Sequence, residues 1–412
     1  MRHLSAASQS LALMLLTFSS VNAQSRTEDE YIRFELLSPD TSSIRITHDV
    51  SAVTPGEKAY SDPVPAGVLV SDISAVDLMT GTPLAFKEEY GGIDVTLARP
   101  VPKGGQGRIR ILETFKDPKS YHRDAQSGND VIFTSRLSIR RFAVVLPKGF
   151  ELVGANVPVQ LVQEGDGRLA ANFMNLYPVD VPLVVKARAL KNPPVLPGTE
   201  NNMVVGPTPI PTPPADPAPA SRRLDQIRVT ERAIQDREIV YFLKQPDTHA
   251  FSLYHDYTAS REGEHQYVNV VRTGSAVSDP SAVILDTGEA LKTRTLTGAD
   301  IVREKIDIPD HVEPDTQVVL IPFTPVKKGF SVRLRISETY TDPARYSLVN
   351  NELIWHRSFG RNRNDVVLPD GWYLTTCSIP AVVTEESDGR IRLSFWNPRP
   401  DNVDVFVKGS KR

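Results

Sequence analysis

The chain has 412 residues, enough for two or three domains, and its 40% hydrophobic and 24% charged residues are typical of a globular protein. Its 47 basic and 50 acidic side chains leave a net charge of −3. The chain therefore lacks the large basic excess that would indicate binding to nucleic acid or anionic lipid. A single cysteine excludes an intrachain disulfide, a cysteine-rich zinc site and an iron–sulfur cluster.

The first 23 residues have the features of a secretory signal peptide. Arg2 supplies a positive start, residues 11–18 (LALMLLTF) form an apolar core, and residues 21–23 (VNA) form a small-residue cleavage site. The apolar core is far shorter than the roughly 20 residues that span a bilayer, and we expect no transmembrane span in the mature chain. We therefore expect cleavage near Ala23 and a secreted or periplasmic protein. The alternative is an N-terminal membrane anchor.

The sequence contains an internal duplication. Three stretches recur in the same order: residues 39–49 as residues 246–256, residues 108–118 as residues 333–343, and residues 146–175 as residues 368–397. Ordered matches with so few gaps indicate two copies of one fold. We assign copy one to residues 24–191 and copy two to residues 222–412, and we expect each copy to fold as its own domain.

A proline-rich linker, residues 192–221, separates the copies. Residues 207–219 (PTPIPTPPADPAP) contain seven prolines, a composition that favours an extended, semi-rigid spacer. A long loop packed on one domain is the alternative. Residues 222–237 follow, and they place Leu224, Ile227 and Ile234 on one helical face, which predicts a short helix at the start of copy two.

Apolar and polar residues alternate with a period of two in both copies. Clear cases are residues 93–97, 332–336, 391–395 and 403–407. This period is typical of half-buried antiparallel strands. Asp166-Gly167 and Asp388-Gly389 lie between such runs and suit tight hairpin turns, since glycine accepts a positive φ. The pattern predicts an all-β chain of two tandem, homologous antiparallel β-sandwich domains, joined by the linker and the short helix.

The order of turns and strands in each copy also resembles a known family. In copy one, residues 80–84 (TGTPL) are followed by a strand at 92–97, by PVPKG at 100–104, by the RIRI strand at 108–111 and by VVLPKG at 144–149. This order resembles the non-catalytic N-terminal β-domain of aminopeptidase-N-type zinc peptidases, and it is similar to the lumenal region of ribophorin-type proteins. The resemblance covers most of each copy. The peptidase signature H-E-x-x-H is absent, so neither the catalytic zinc domain nor its activity is expected.

Two glutamates are candidates for buried charges. Glu113 and Glu338 each continue the apolar face of a strand, and an unpaired buried charge is costly. Arginine-rich stretches supply partners, so we predict two equivalent structural pairs, Glu113 with Arg140 and Glu338 with Arg361. The alternative is an acid–base carboxylate beside the aspartate that follows each strand.

The recurring pairs His48-Asp49 and His255-Asp256 are a second candidate constellation. Adjacent residues on a strand point to opposite faces, so the two members of a pair cannot cooperate directly, and we expect structural roles rather than ligand roles. The remaining histidines are too scattered to predict a metal site. No G-x-S-x-G, phosphate-binding loop or dinucleotide fingerprint is present, so we predict no cofactor and no enzyme activity.

Copy two carries three further features. Its Cys377 is expected to be a small buried hydrophobic residue rather than a nucleophile. All three tryptophans, Trp355, Trp372 and Trp396, lie in copy two and form a candidate surface for binding a glycan or a peptide, with core packing as the alternative. Copy two also has 18 extra residues between positions 291 and 325, which are either a binding loop or a plain surface excursion.

These features predict an exported, non-catalytic binding or scaffolding protein of the cell envelope or the extracellular space. Its expected partner is a protein or a glycan, not a nucleic acid. One alternative is a hydrolase acting on envelope or extracellular polymers, and another is a non-catalytic partner of a separate catalytic chain. A hydrolase should have a deep cleft with converging ionisable groups in one copy, whereas a scaffold should have flat or shallow surfaces.

Overall fold

The computed structural model describes residues 30–89, 91–103, 105–177, 179–191, 238–272, 274–285, 287–308, 311–328, 330–397 and 402–412. The predicted signal peptide (1–23), the linker from residue 192 onward and the predicted helix (222–237) lie outside these residues. Within the described part, 28 strands and one short helix confirm the all-β class. None of the described helices is long and apolar enough to cross a membrane.

The N-terminal half, residues 30–191, contains thirteen strands. They are β1 (Tyr31–Leu36), β2 (Ser43–Ala52), β3 (Ala59–Pro63), β4 (Leu69–Asp77), β5 (Phe86–Glu89), β6 (Gly92–Thr96), β7 (Gly107–Lys116), β8 (Tyr121–Arg123), β9 (Asp130–Leu137), β10 (Arg141–Val145), β11 (Phe150–Gln163), β12 (Leu169–Met174) and β13 (Val181–Ala189). The largest sheet has the order β4-β7-β2-β1-β10-β12, in which only β1 and β10 run parallel.

Two further sheets complete this half. One has the order β8-β9-β13-β11, and the other is a small sheet of order β3-β6-β5. The long strand β11 belongs to both large sheets, because its first residues pair with β13 and its last residues pair with β12. Alternate residues of the main-sheet strands face inward, as the period of two predicts. In β7, for example, Ile109, Ile111 and Glu113 are buried.

The C-terminal half, residues 238–412, repeats this arrangement. Its strands are β14 (Glu238–Leu243), β15 (Ala250–Ala259), β16 (Gln266–Val270), β17 (Ala276–Ile284), β18 (Ala290–Leu291), β19 (Arg294–Thr297), β20 (Gln317–Pro322), β21 (Val332–Thr341), β22 (Tyr346–Val349), β23 (Glu352–Phe359), β24 (Arg363–Val367), β25 (Trp372–Cys377), β26 (Ala381–Glu385), β27 (Ile391–Trp396) and β28 (Val403–Lys411). The pairing β17-β21-β15-β14-β24-β27 matches β4-β7-β2-β1-β10-β12, including one parallel pair, β14 with β24.

Seven of the remaining C-terminal strands form two sheets, β22-β23-β28-β25 and β16-β20-β19, while β18 pairs with β17 and β26 pairs with β27. The 18 extra residues of copy two lie around the helix α1 (Gly298–Glu304), between β19 and β20. Ile301 of this helix is buried in an apolar cluster with Leu296, Val318 and Leu320. The insertion is therefore packed onto the small sheet.

Strand pairing joins the two halves. β11 and β26 run antiparallel, with Val159 opposite Ala381 and Ala155 opposite Val383. Val159 and Ala381 are equivalent positions of the two copies, so the contact has the self-complementary character of a two-fold interface. One hydrophobic cluster runs through both halves, and Arg188 of β13 forms an ion pair with Glu385 of β26.

Candidate functional site

A buried polar cluster lies between the main and the small sheet of the N-terminal half. His48 of β2 contacts Asp62 of β3 (Nδ1 to Oδ2, 3.1 Å) and Glu30, which precedes β1 (Nε2 to Oε1, 3.4 Å). Burial disfavours the charged imidazolium, but the hydrogen bonds to Asp62 and Glu30 outweigh it and raise the pKa of His48 to about 9. His48 is therefore a cation at neutral pH and donates from both ring nitrogens.

Glu113 of β7 lies in the same cluster. Burial, together with the charge of Asp62, raises the pKa of Glu113 to about 8, and His48 opposes this only in part. Its Oε2 atom is buried without a hydrogen-bond partner in the described part of the chain. No ion pair between described residues joins Glu113 to Arg140, so the structure does not bring the predicted pair together. Arg140 lies in the turn between β9 and β10, whereas β7 faces the small sheet.

The C-terminal half has an equivalent cluster with different partners. Asn269 of β16 donates to Glu338 of β21 (Nδ2 to Oε2, 2.7 Å) and to the hydroxyl of Tyr340 (3.0 Å). Burial raises the pKa of Glu338, although the hydrogen bonds with Asn269 and Tyr340 act to lower it. Arg361 donates to Nδ1 of His255 at 3.1 Å. Glu338 and Arg361 thus each have another partner, and the predicted Glu338–Arg361 pair is not formed.

One substitution between the copies explains this difference. Asp62 and Asn269 occupy equivalent positions, 207 residues apart, on β3 and β16. The carboxylate of Asp62 accepts a hydrogen bond from His48, whereas the amide of Asn269 donates a hydrogen bond to Glu338. Neither residue belongs to a recognisable motif, although the constant spacing of the duplication aligns them. As expected, Asp49 points away from His48 and pairs with Arg110 (2.6 Å).

Both clusters are closed to solvent. His48, Asp62, Glu113, His255 and Glu338 are all buried. A substrate in solution cannot reach these carboxylates, and within the described residues no group of three or more histidine, cysteine, aspartate or glutamate side chains could hold a metal ion. The arrangement holds the small sheet against the main sheet through charged hydrogen bonds.

The three tryptophans do not form the predicted surface. Trp355 is fully buried and packs against Tyr241 and Phe359, with ring centroids 5.4 and 5.8 Å away. Trp372 is buried, and its Nε1 donates to the side chain of Gln245 at 3.0 Å. Only Trp396 is exposed, by 52%. Two of the three are core residues because they lie on the inward faces of β23 and β25.

An exposed apolar loop connects β12 to β13. Its four large apolar side chains are exposed by more than half: Met174 by 58%, Leu176 by 72%, Tyr177 by 67% and Val179 by 63%. We call residues 174–179 the apolar loop; the structure describes all of it except residue 178. The exposure of this loop was not predicted from the sequence; the signal that could have indicated it is the run L-Y-P-V, which stands where copy two has P-R-P-D.

Asn175 fixes the apolar loop. Its buried side-chain amide donates to the carbonyl oxygens of Leu137 (2.6 Å) and Val179 (3.0 Å), and its Oδ1 accepts from the backbone N–H of Tyr177 (2.9 Å). Asn397, the equivalent residue of copy two, donates in the same way to the carbonyl of Phe359 at 3.0 Å. The loop thus has a rigid base and an apolar tip.

An open cleft of about 460 Å³ lies on the C-terminal half. It is lined by Lys244, Gln245, Asp370, Asp388 and Arg390 among others. Asp388 is bound by Arg390, whose Nε donates at 2.8 Å. The hydrogen bond from the backbone N–H of Arg390 holds the pKa of Asp388 below its ordinary value, and this ion pair adds a smaller effect in the same direction. Asp388 is therefore kept ionised.

Comparison with known proteins gives slight similarities. No family model matches the chain, and no curated protein matches it in sequence. It is similar to an M1 zinc metallopeptidase from Deinococcus radiodurans (13% identity, TM-score 0.28, 39% of this chain and 41% of that chain). It is also similar to an aminopeptidase N family protein from Idiomarina loihiensis (8%, TM-score 0.26, 38% and 29%) and to the collagen adhesin of S. aureus (7%, TM-score 0.19, 95% and 96%).

The chain spans less than half the length of the peptidases that it matches. These matches fit the weak resemblance to the peptidase β-domain that the sequence contains, and they assign no activity to this chain.

Proposed function

We propose that this chain is a non-catalytic binding or scaffolding protein of the cell envelope or the extracellular space, and that the apolar loop is its contact surface. One observation carries the proposal: four large apolar side chains, each more than half exposed, occur within six residues of one anchored loop. Clustered exposed apolar side chains mark interaction sites on soluble proteins. The export part of the proposal rests on residues 1–23, which have the features of a signal peptide.

The location of the ionisable groups supports a non-catalytic role. Glu113 and Glu338, two carboxyl groups whose pKa is raised by burial, lie inside the two sandwiches rather than in a cleft. A general acid must reach the substrate within hydrogen-bond distance. These two side chains therefore support a role in packing the sheets.

The test measures binding of the mature chain, residues 24–412, to the envelope fraction of its native source by co-sedimentation. The variant Leu176→Ser with Val179→Ser should bind at least about 5-fold more weakly, because it removes aliphatic surface that contact would bury. Phe330→Ser is the matched control, since Phe330 is equally exposed (71%) but lies in the C-terminal half. Equal binding of the wild type and the loop variant contradicts the proposal.

The open cleft on the C-terminal half is the one feature that favours a hydrolase. Asp370 and Asp388 both line it. A glycosidase of the usual type needs one protonated and one ionised carboxyl group, and Asp388 is held ionised. A hydrolase would cleave a panel of envelope glycans and peptides, and Asp388→Asn would abolish that cleavage. Cleavage that this variant removes would replace the binding proposal.

A further inference from the structure

The tip of the apolar loop combines side chains that suit the surface of a bilayer. Leu176 and Val179 are aliphatic and more than 60% exposed, and Tyr177 between them carries an apolar ring with a polar hydroxyl. Tyrosine is enriched where a membrane meets water, because its ring lies among the acyl chains while its hydroxyl stays hydrated. Asn175 holds the base of the loop at the end of β12.

Two exposed arginines lie beside the base of the loop. Arg141 of β10 is paired in register with Met174, and Arg136 of β9 is paired with Pro182 at the start of β13. One acid, Asp180, follows the last residue of the loop.

The net charge of −3 for the whole chain does not decide this contact. Charges act on a surface only over the Debye length, which is about 8 Å at physiological ionic strength. The local excess of arginine therefore complements anionic headgroups, and each basic side chain near an anionic surface favours binding.

The size of the patch suits shallow contact with a bilayer. Four large apolar side chains are each more than half exposed within six residues. Shallow insertion of a few apolar side chains beside cations is sufficient for reversible binding to a bilayer.

The duplication indicates that the fold does not require the apolar tip. Copy two keeps the anchor, since Asn397 donates to the carbonyl of Phe359 as Asn175 does to that of Leu137. Its following residues, 398–401, are P-R-P-D in place of L-Y-P-V. The same anchor thus occurs with a polar sequence, and the apolar side chains of copy one are available for a contact.

From these observations we propose that the apolar loop inserts into the surface of a lipid bilayer that carries anionic headgroups. This inference rests on the proposed binding function and names the ligand of its contact surface. Leu176, Tyr177 and Val179 enter the boundary between headgroups and acyl chains, and Arg136 and Arg141 contact the lipid phosphates.

The test is co-sedimentation of the mature chain with vesicles of phosphatidylcholine alone and with vesicles that contain about one quarter phosphatidylglycerol. The main variant carries the copy-two sequence, Leu176→Pro, Tyr177→Arg and Val179→Asp, which leaves the net charge unchanged. It should bind anionic vesicles at least about 10-fold more weakly. Leu176→Ser with Val179→Ser repeats the test without a new proline, and Phe330→Ser should bind like the wild type.

The arginines are tested separately. Arg136→Gln with Arg141→Gln should weaken binding to anionic vesicles by about 3- to 10-fold and leave the weaker binding to neutral vesicles unchanged. About 0.5 M NaCl should have a similar effect on the wild type.

Three results would overturn the inference. The first is a wild type that binds neither type of vesicle, and the second is binding that both loop variants retain. The third is a loop-dependent complex with an envelope protein, or a loop-dependent dimer, formed without vesicle binding. This third result would leave the proposed binding function standing with a different occupant, whereas loss of binding to the envelope fraction as well would remove both.

Discussion

Replacing Glu113 by glutamine should flatten the loss of stability that this protein undergoes as the pH rises. Folded Glu113 has a pKa raised to about 8 from an ordinary value of 4.5, because it is buried near Asp62. Between these two pH values the folded chain keeps a proton that the unfolded chain has released. Stability therefore falls with rising pH in this window, and glutamine, which has no proton to lose, removes the effect.

The magnitude follows from the window. Each pH unit in which the folded state holds one extra proton changes the free energy of unfolding by about 1.4 kcal/mol. His48, with an ordinary pKa of 6.5 raised to about 9, also loses its contribution as the pH rises, but only above 6.5. From about pH 5 to 6.5 the contribution of His48 is constant, and other buried carboxyl groups with a raised pKa, such as Glu338, contribute equally to the wild type and to Glu113→Gln. Over this interval the wild type should therefore lose about 2 kcal/mol more stability than the variant.

The assay is urea denaturation at about pH 5, 6.5 and 8, followed by far-UV circular dichroism. Circular dichroism reports on both halves, whereas all three tryptophans lie in the C-terminal half. Glu88→Gln is the matched control, because Glu88 is exposed on β5 and its replacement should leave the pH dependence unchanged.

Parallel curves for the wild type and Glu113→Gln between pH 5 and 6.5 would refute the reasoning. Such a result would mean that Glu113 exchanges its proton at the same pH in the folded and the unfolded state. A steeper loss of stability in the variant than in the wild type would also refute the reasoning, because the effect would then have the opposite sign. If the difference in stability between the wild type and the variant fails to grow only between pH 6.5 and 8, the reasoning is not refuted, since His48 also contributes there.

Three other outcomes are expected. Arg412→Ala should cost about 1–3 kcal/mol in urea denaturation, since it leaves the buried Glu151 without the ion pair at 3.0 Å; unchanged stability would contradict a role for this contact between the halves. Glu338→Ala should cost about 2–4 kcal/mol, and Glu338→Gln clearly less, since the amide oxygen can still accept from Asn269; equal costs would show that the hydrogen bond is not the cause. Cys377 should resist thiol reagents until the chain unfolds, because burial raises its pKa to about 12; rapid labelling of the native chain at neutral pH would contradict its burial.

The two halves meet in a way that the sequence did not indicate. The duplication and the proline-rich segment predicted two copies that fold separately, with the boundary at residues 192–221. In the described residues, β11 pairs with β26 and one hydrophobic cluster runs through both halves. We therefore expect a single unfolding transition in which tryptophan fluorescence and circular dichroism coincide; two separate transitions would contradict this.

The sequence by itself determined the class of fold, because both signals of β structure are local in sequence: the alternation with a period of two within strands and the Asp-Gly turns between them. It also determined that copy two repeats copy one, and that Glu113 and Glu338 face inward with the apolar residues of β7 and β21. Cys377 is buried, as its sequence context indicated.

Only the tertiary structure decided which side chains meet. Local periodicity gives the face of a strand on which a residue lies, but not which sheet covers that face. The small sheet covers β7, so Glu113 meets Asp62 and His48 instead of Arg140. The same limit applies to surfaces: exposure depends on what packs above a residue. Trp355, a candidate for a binding surface, is therefore buried and Leu176 is exposed, although both are large apolar side chains.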